Sequence, residues 1–126
     1  MANILIMDDE EAILGFLKQR LMDEGFNVLT ASDGKEGMNL FNDNQVDLVI
    51  TDILMPGQDG FETIMELKKN SSNIKIIAMS GGGLGNPKYY LDTARSSGAK
   101  YTIEKPFKTS DLVEAMHELL KEEKTS

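Results

Sequence analysis

The chain has 126 residues, of which 40% are hydrophobic and 27% are charged, a composition typical of one globular domain and not of a disordered segment. Its 13 lysines and arginines against 21 aspartates and glutamates give a net charge of −8, so like-charge repulsion argues against binding to nucleic acid or to an anionic membrane. The sequence has no cysteine for a disulfide or a thiolate site, no recognisable signal peptide and no apolar run of membrane-spanning length, which predicts a cytoplasmic protein.

The first part of the chain alternates short apolar runs with segments of helical period. Residues 4–7 predict a strand that is buried on both faces. A helix is predicted over 11–24, where Gly25 supplies a stop signal. A second strand is predicted over 27–31 and a shorter helix over 33–42.

The same alternation continues along the rest of the chain. Residues 46–51 predict a third strand, and a helix is then indicated by the helical spacing of Phe61, Ile64, Met65 and Lys68. Residues 74–79 predict a fourth strand. The Asn86–Pro87 pair is a good helix start, because asparagine caps helices and proline is tolerated at the first helical position.

The fifth strand is predicted over 100–104, and Thr109 is expected to cap the final helix. The inward positions of that helix are expected to be Leu112, Val113, Met116, Leu119 and Leu120. Residues 121–126 are expected to fray. Five strand–helix repeats with short connections imply one doubly wound α/β domain over 1–126, in which helices cover both faces of a parallel five-stranded sheet.

Polar side chains follow four of the five predicted strands, at the edge where an open parallel sheet binds its ligands. Asp8 and Asp9 come after the first strand, and Asp52 comes after the third. Ser80 follows the fourth strand and Lys105 the fifth. Aspartate or serine at one such position is a common helix cap, but their coincidence at one edge indicates a site.

The residue types at this edge suit one kind of chemistry. Crowded carboxylates repel one another, and a hard cation such as Mg²⁺ binds to two or three of them while keeping several waters. A carboxylate is also a nucleophile that can form an aspartyl-phosphate. Phosphoryl transfer then needs positive charge and donors at the transferred group, which the metal, Lys105 and Ser80 would supply. The pattern predicts a metal-assisted phosphoryl site with an aspartate nucleophile.

Four motifs, together spanning nearly the whole chain, resemble those of one known family. They are ILIMDDE at 4–10, TDILMPGQDG at 51–60, the serine that ends IIAMS, and KPF at 105–107. In this order and spacing they resemble the receiver domain of two-component response regulators. The resemblance implies a flavodoxin-like (βα)5 fold with strand order 2-1-3-4-5.

The resemblance also implies roles for the acidic residues. Asp52 would be the phosphoacceptor. Asp9 and Asp52 would bind Mg²⁺ directly, together with the backbone carbonyl of Leu54, and Asp8 would act mainly through water.

On the same resemblance, Ser80 would be the switch hydroxyl that turns toward the phosphoryl group. Lys105 would form a salt bridge at the acceptor, and the Lys105–Pro106 peptide would be cis. The chain departs from the family where Thr102 stands at a position that is aromatic in many receivers, and strand alternation predicts that Tyr101 points to the opposite side. The glycines of 81–85 are interpreted as a flexible switch loop.

The predicted function is therefore a phosphorylation switch. A sensor histidine kinase or a histidine phosphotransfer protein would donate the phosphoryl group, and the domain would assist its own phosphorylation and dephosphorylation without being an enzyme. The modified domain would bind an unknown downstream target as a monomer or as a weak, phosphorylation-dependent dimer. A standalone receiver is expected, with a piece of a longer regulator as the alternative.

Two other functions are compatible with parts of this pattern. A receiver-like scaffold would bind partners without phosphorylation. A phosphatase with an aspartate nucleophile would use the same covalent chemistry, but haloacid-dehalogenase-like enzymes place an acid/base aspartate two residues after the nucleophile, where this chain has Leu54. A chain of 126 residues also has no space for a cap domain.

Overall fold

The five predicted strands pair side by side in the computed structural model, which describes residues 2–55, 58–80 and 87–125. In chain order the elements are β1 (Asn3–Met7), α1 (Glu11–Asp23), β2 (Asn27–Ala31), α2 (Gly34–Asp43), β3 (Leu48–Asp52), β4 (Leu54–Met55), β5 (Gln58–Asp59), α3 (Gly60–Asn70), β6 (Lys75–Ser80), α4 (Pro87–Ser97), β7 (Tyr101–Glu104) and α5 (Thr109–Thr125). Among the described residues, no helix is long and apolar enough to span a membrane.

The large sheet has the order β2-β1-β3-β6-β7, and all of its neighbouring strands run parallel. Counting only the strands of this sheet, the order is 2-1-3-4-5, as predicted. The register pairs Met7 with Thr51, Asp52 with Met79, and Ser80 with Glu104. The carboxyl ends of β1, β3, β6 and β7 therefore lie next to one another along one edge.

Both faces of this sheet are covered by helices, because its central strands alternate two sets of apolar side chains. The first set packs against α1 and α5 and comprises Ile4, Ile6, Leu48, Ile50, Ile77 and Met79. The second set packs against α2, α3 and α4 and includes Leu5, Met7, Val49, Ile76 and Ala78. Burial on both faces is the reason that these strands read as continuous apolar runs in the sequence.

Two strands extend further toward the site than the apolar pattern predicts. The ladder of β3 continues to Asp52 and that of β6 continues to Ser80, because their backbones still find partners in the neighbouring strands. At the other end, β3 begins at Leu48 and not at Val46. Asp52 and Ser80 thus belong to the sheet and are held by its hydrogen bonds.

The helix ends differ from the predictions in small ways. Asp33 lies before α2 and caps it, since its Oδ1 accepts a 2.8 Å hydrogen bond from the Glu36 N–H. The prediction that Thr109 caps the final helix is wrong: the Lys108 carbonyl accepts the first helical bonds, so Lys108 is the cap and Thr109 the first helical residue. Helix α5 continues to Thr125, and the fraying predicted for 121–126 stays a prediction.

A short antiparallel hairpin follows β3 and was not predicted from the sequence. It pairs Leu54 with Asp59 and Met55 with Gln58. The strands are only two residues each, too short for a periodic pattern. The predicted cap Asn86 and the glycine loop 81–85 lie outside the described residues.

Candidate functional site

The end of β1 turns into α1 through the side chain of a buried aspartate. Asp8 has no exposed surface, and its backbone N–H donates a 3.1 Å hydrogen bond to the Ala31 carbonyl, continuing the ladder beside β2. Its Oδ1 accepts a 2.9 Å bond from the N–H of Glu10, the residue that precedes α1. Asp9, between them, is exposed. The two adjacent aspartates therefore have different environments, one inside the site and one at its surface.

Asp52 is the last residue of β3 and lies in the centre of the edge. It is 6% exposed, and the hydroxyl of Thr51 donates a 3.0 Å hydrogen bond to its backbone carbonyl. The next residue, Ile53, donates its N–H to the Met79 carbonyl at 3.1 Å. Backbone bonds on both sides of Asp52 hold its carboxylate at the site.

Lys105 carries the positive charge of the site. Its Nζ donates hydrogen bonds to Asp8 Oδ2 at 2.7 Å and to Asp52 Oδ2 at 3.0 Å. Its backbone N–H donates a 2.7 Å bond to the Ser80 carbonyl, which ties the end of β7 to the end of β6, and the Lys105–Pro106 peptide is cis. One ammonium group therefore bridges two carboxylates that come from different strands.

The electrostatics of Lys105 follow from this position. Burial removes water from its ammonium group and lowers its pKa, but the hydrogen bonds and negative charges of Asp8 and Asp52 outweigh that effect. The pKa of Lys105 is consequently raised above its ordinary value of 10.5. The side chain is fully charged at neutral pH.

The three aspartates also meet the requirements of a hard divalent cation. Asp8, Asp9 and Asp52 can each offer a carboxylate oxygen such that these atoms all lie within 4.8 Å of one another. An all-oxygen set with one open, exposed side suits Mg²⁺, which prefers oxygen ligands and keeps several of its waters. The carbonyl of Leu54, two residues after Asp52, belongs to β4 of the hairpin. Its predicted contact with the metal stays a prediction.

The remaining predicted site residue lies at the same edge. Ser80 is the last residue of β6 and is 1% exposed, next to the strand that leads to Lys105. The structure thus brings together the ends of β1, β3, β6 and β7, with Asp8, Asp9, Asp52, Ser80 and Lys105.

Thr102, which stands where many receivers have an aromatic residue, contacts helix α4. Thr102 accepts at its Oγ1 a 3.1 Å hydrogen bond from Arg95 Nη2 of α4. Tyr101, one residue earlier, is 38% exposed and lies with Phe107 and Ala115 in a groove beside α5. The prediction from strand alternation is confirmed, because the two residues lie on opposite sides of β7.

Two further residues make contacts near the site that were not predicted from the sequence. Gly60 begins α3, and a Cβ at this position would lie closer than 3.0 Å to three backbone atoms of Ile53, the residue after Asp52. Glu10 lies with its Oε1 3.9 Å from Lys105 Nζ. The sequence signals for these contacts are weak. One is the glycine that ends TDILMPGQDG, and the other is the acidic residue that follows Asp8 and Asp9. Neither indicates a contact between distant segments of the chain.

Comparison with known proteins points to one family. A family model described as response regulator receiver domain matches residues 4–117. A curated relative, the probable transcriptional regulator ycf27 of Guillardia theta, is 39% identical over 109 residues, which are 86% of this chain and 41% of that protein. The transcriptional regulatory protein CpxR of Klebsiella pneumoniae is 33% identical over 121 residues, 96% of this chain and 50% of that protein.

Solved structures agree with these sequence matches. A response regulator receiver domain protein from Clostridium thermocellum superposes with a TM-score of 0.92 at 34% identity, covering 99% of this chain and 98% of that one. By contrast, the chain spans about half or less of the length of the two curated relatives, 41% and 50%.

Proposed function

The chain belongs to the response regulator receiver domain family of two-component systems, and on this premise we propose that Asp52 accepts a phosphoryl group with the help of Mg²⁺, Lys105 and Ser80. The observation that carries the proposal is the shared ammonium group of Lys105, which lies 3.0 Å from Asp52 and 2.7 Å from Asp8. A cation at this distance is placed to neutralise charge that arrives on Asp52.

Burial and hydrogen bonding favour Asp52 over the other two aspartates as the nucleophile. Asp8 has no exposed surface, and both of its carboxylate oxygens are already in hydrogen bonds. Asp9 is exposed, and among the described residues it has no ion pair with a cation that could stabilise a product. Asp52 combines partial access, with 9% of its side-chain surface exposed, and a direct ion pair with Lys105.

The proposed step is a displacement at phosphorus. An Oδ atom of Asp52 attacks the phosphorus of the donor, an O–P bond forms, and the bond from phosphorus to the leaving nitrogen or oxygen breaks with its electron pair on the leaving group. Lys105 would then face a phosphoryl oxygen in place of a carboxylate oxygen. Ser80, at the end of β6 on the same edge, would donate its hydroxyl proton in a hydrogen bond to the phosphoryl group.

Asp8, Asp9 and Asp52 would hold Mg²⁺, with the Leu54 carbonyl as a further ligand. When bound, the ion supplies positive charge to the oxygens of the transferred group. Asp52 would react as the nucleophile. Asp8 holds Lys105 in position through a short hydrogen bond at the carboxyl edge of the sheet.

The donor, the target and the wider context are inferred from the family. A histidine kinase or a histidine phosphotransfer protein is the proposed donor, and a downstream target is proposed to bind the modified domain. Four further points stay predictions. They are the assignment of 1–126 to a single receiver domain, its location in the cytoplasm, its self-catalysed dephosphorylation and a weak phosphorylation-dependent dimer.

The proposal is tested by the intact mass of the protein after incubation with Mg²⁺ and acetyl phosphate. We expect the wild type to gain one phosphoryl group, and Asp52→Asn or omission of Mg²⁺ to prevent the gain. Asp43→Asn, a matched change at an exposed aspartate at the end of α2, should be labelled like the wild type. A wild type that gains no mass with acetyl phosphate or with a phosphohistidine donor would contradict the proposal and favour a scaffold. Rapid multiple turnover of phosphate esters would favour a phosphatase.

A further inference from the structure

Glu10 occupies the N-cap position of α1 without capping the helix. Its backbone is extended, as a cap requires, but its side chain makes no capping hydrogen bond. Glutamate is also a poor choice for this position, where shorter side chains such as aspartate, asparagine and serine reach the first free N–H groups. The side chain of Glu10 therefore satisfies none of the free N–H groups in the first turn of α1.

That side chain instead faces the cation of the site. Glu10 Oε1 lies 3.9 Å from Lys105 Nζ, and the Glu10 side chain is 62% exposed whereas that of Lys105 is 14% exposed. The two closer carboxylates on Lys105, those of Asp8 and Asp52, are almost fully buried. Glu10 therefore places a negative charge on the solvent side of Lys105, the side from which a phosphodonor would approach under the proposed function.

The position of this charge is set by the backbone. The N–H of Glu10 donates to Asp8 Oδ1 at 2.9 Å, so the residue is attached to the site whatever its side chain does. Replacing the carboxylate with an amide removes the charge and leaves this hydrogen bond unchanged.

We propose that Glu10 is a specificity determinant of the phosphoryl-accepting site, which selects against small phosphodonors in proportion to their negative charge. The inference rests on the proposed function of Asp52. Its physical basis is the repulsion between the Glu10 carboxylate and an anionic donor approaching Asp52. A protein donor that places a positively charged side chain beside Glu10 would compensate for this repulsion, so the charge would favour such a donor over free small molecules.

The size of the effect follows from Coulomb's law. For a dianion about 6 Å from the carboxylate in a water-like medium, the repulsion corresponds to about a tenfold change in rate at low ionic strength. Screening at physiological ionic strength reduces it to about threefold. For a donor with one negative charge the repulsion energy is half as large, so the fold-change in rate should be the square root of each of these values.

The test measures phosphorylation rates of the wild type and of Glu10→Gln with two small donors in Mg²⁺. At neutral pH acetyl phosphate is a dianion, and phosphoramidate is mainly a monoanion. We expect Glu10→Gln to react about threefold faster with acetyl phosphate at physiological ionic strength and to gain clearly less with phosphoramidate. The gain should decline as salt is added, and Glu10→Lys should exceed Glu10→Gln with both donors.

Glu11→Gln is the matched control, because it removes the same charge from the next residue of the same helix turn, and Glu11 has no ion pair with Lys105 among the described contacts. We expect its rates to stay closer to those of the wild type. Three results would overturn the inference while leaving Asp52 as the acceptor. They are equal increases in phosphorylation rate with both donors, an increase that salt does not change, and no increase in either Glu10 variant. A wild type that neither donor labels would instead overturn the proposed function, and the role of Glu10 with it.

Discussion

Asp8 and Lys105 are 97 positions apart in the chain, yet Lys105 Nζ lies 2.7 Å from Asp8 Oδ2, closer than the 3.0 Å that separates it from Asp52. Asp8 has no exposed surface, so this ion pair is desolvated. Charges of this kind stabilise a fold only while both partners are present, because a single buried charge without its partner is costly. Lys105 is therefore a structural counterion as well as a participant in the proposed chemistry.

We expect Lys105→Met to lower the free energy of unfolding by about 3 kcal/mol at neutral pH, because it leaves the carboxylates of Asp8 and Asp52 buried without their cation. Urea denaturation of the metal-free protein measures this loss. Lys35→Met, at an exposed position of α2, should change stability by about 0.5 kcal/mol or less. A Lys105→Met variant as stable as the Lys35 control would contradict the counterion role.

The pH dependence of stability should reveal the same ion pair. The pKa of Lys105 is raised in the folded protein above its ordinary value of 10.5. Its contribution is therefore fully present below pH 10.5 and is lost as the pH rises through the higher folded value. We expect the stability difference between wild type and Lys105→Met to be constant from about pH 8 to pH 10 and to shrink above that range. A difference that shrinks already below pH 9 would contradict the direction of the shift.

Metal binding should be visible in stability without any phosphodonor. We expect Mg²⁺ to raise the melting temperature of the wild type. At a hundred times its dissociation constant, the ion should increase the free energy of unfolding by about 2.7 kcal/mol. Asp9→Asn should lose most of this response to Mg²⁺. In the presence of a chelator, the variant should be no less stable than the wild type, because the substitution removes an exposed carboxylate that repels the two beside it. Glu11→Gln should keep the full response. An Asp9→Asn variant that Mg²⁺ stabilises as strongly as the wild type would exclude Asp9 as a ligand.

Gly60 should not tolerate a methyl group. A Cβ there would lie closer than 3.0 Å to backbone atoms of Ile53, which cannot rotate away as a flexible side chain could. We expect Gly60→Ala to lower the free energy of unfolding by about 2–3 kcal/mol, and to slow phosphorylation because Ile53 adjoins Asp52. Gly15→Ala is the control: it is exposed in α1 with nothing within 4 Å of its added Cβ, and should stabilise by about 0.5–1 kcal/mol. Chemical denaturation of both variants checks the opposite signs.

The hydrogen bond between Arg95 and Thr102 should connect α4 energetically to β7. Its donor–acceptor distance is 3.1 Å and it is exposed, so we expect a coupling of about 0.5 kcal/mol. The measurement is a double-mutant cycle with Arg95→Ala, Thr102→Val and the double variant in urea denaturation. If the two single losses simply add up, the contact has no coupling energy and Thr102 is not connected to α4 in this way.

The parallel sheet, the two-sided core and the edge that carries the site were accessible from the sequence because each depends on local patterns. The strand order did not follow from those patterns and was expected only from the resemblance to receiver domains. A strand segment that is buried on both faces is apolar at successive positions, as at 4–7 in β1 and 48–50 in β3, and an exposed helix face is mostly polar. Parallel strands then bring their carboxyl ends together whatever the details of packing. Asp52, Ser80 and Lys105 could therefore be placed at one edge before their contacts were known.

The tertiary structure decided how those residues divide their roles. Asp8 is buried and Asp9 exposed although they are neighbours, because the turn into α1 directs only one of them toward Lys105. The approach of Gly60 to Ile53, the position of Glu10 beside Lys105 and the contact of Arg95 with Thr102 likewise join different segments of the chain. A periodic pattern reports which face a residue lies on. Which atoms meet across segments depends on strand register and helix packing, and these are set by the whole core at once.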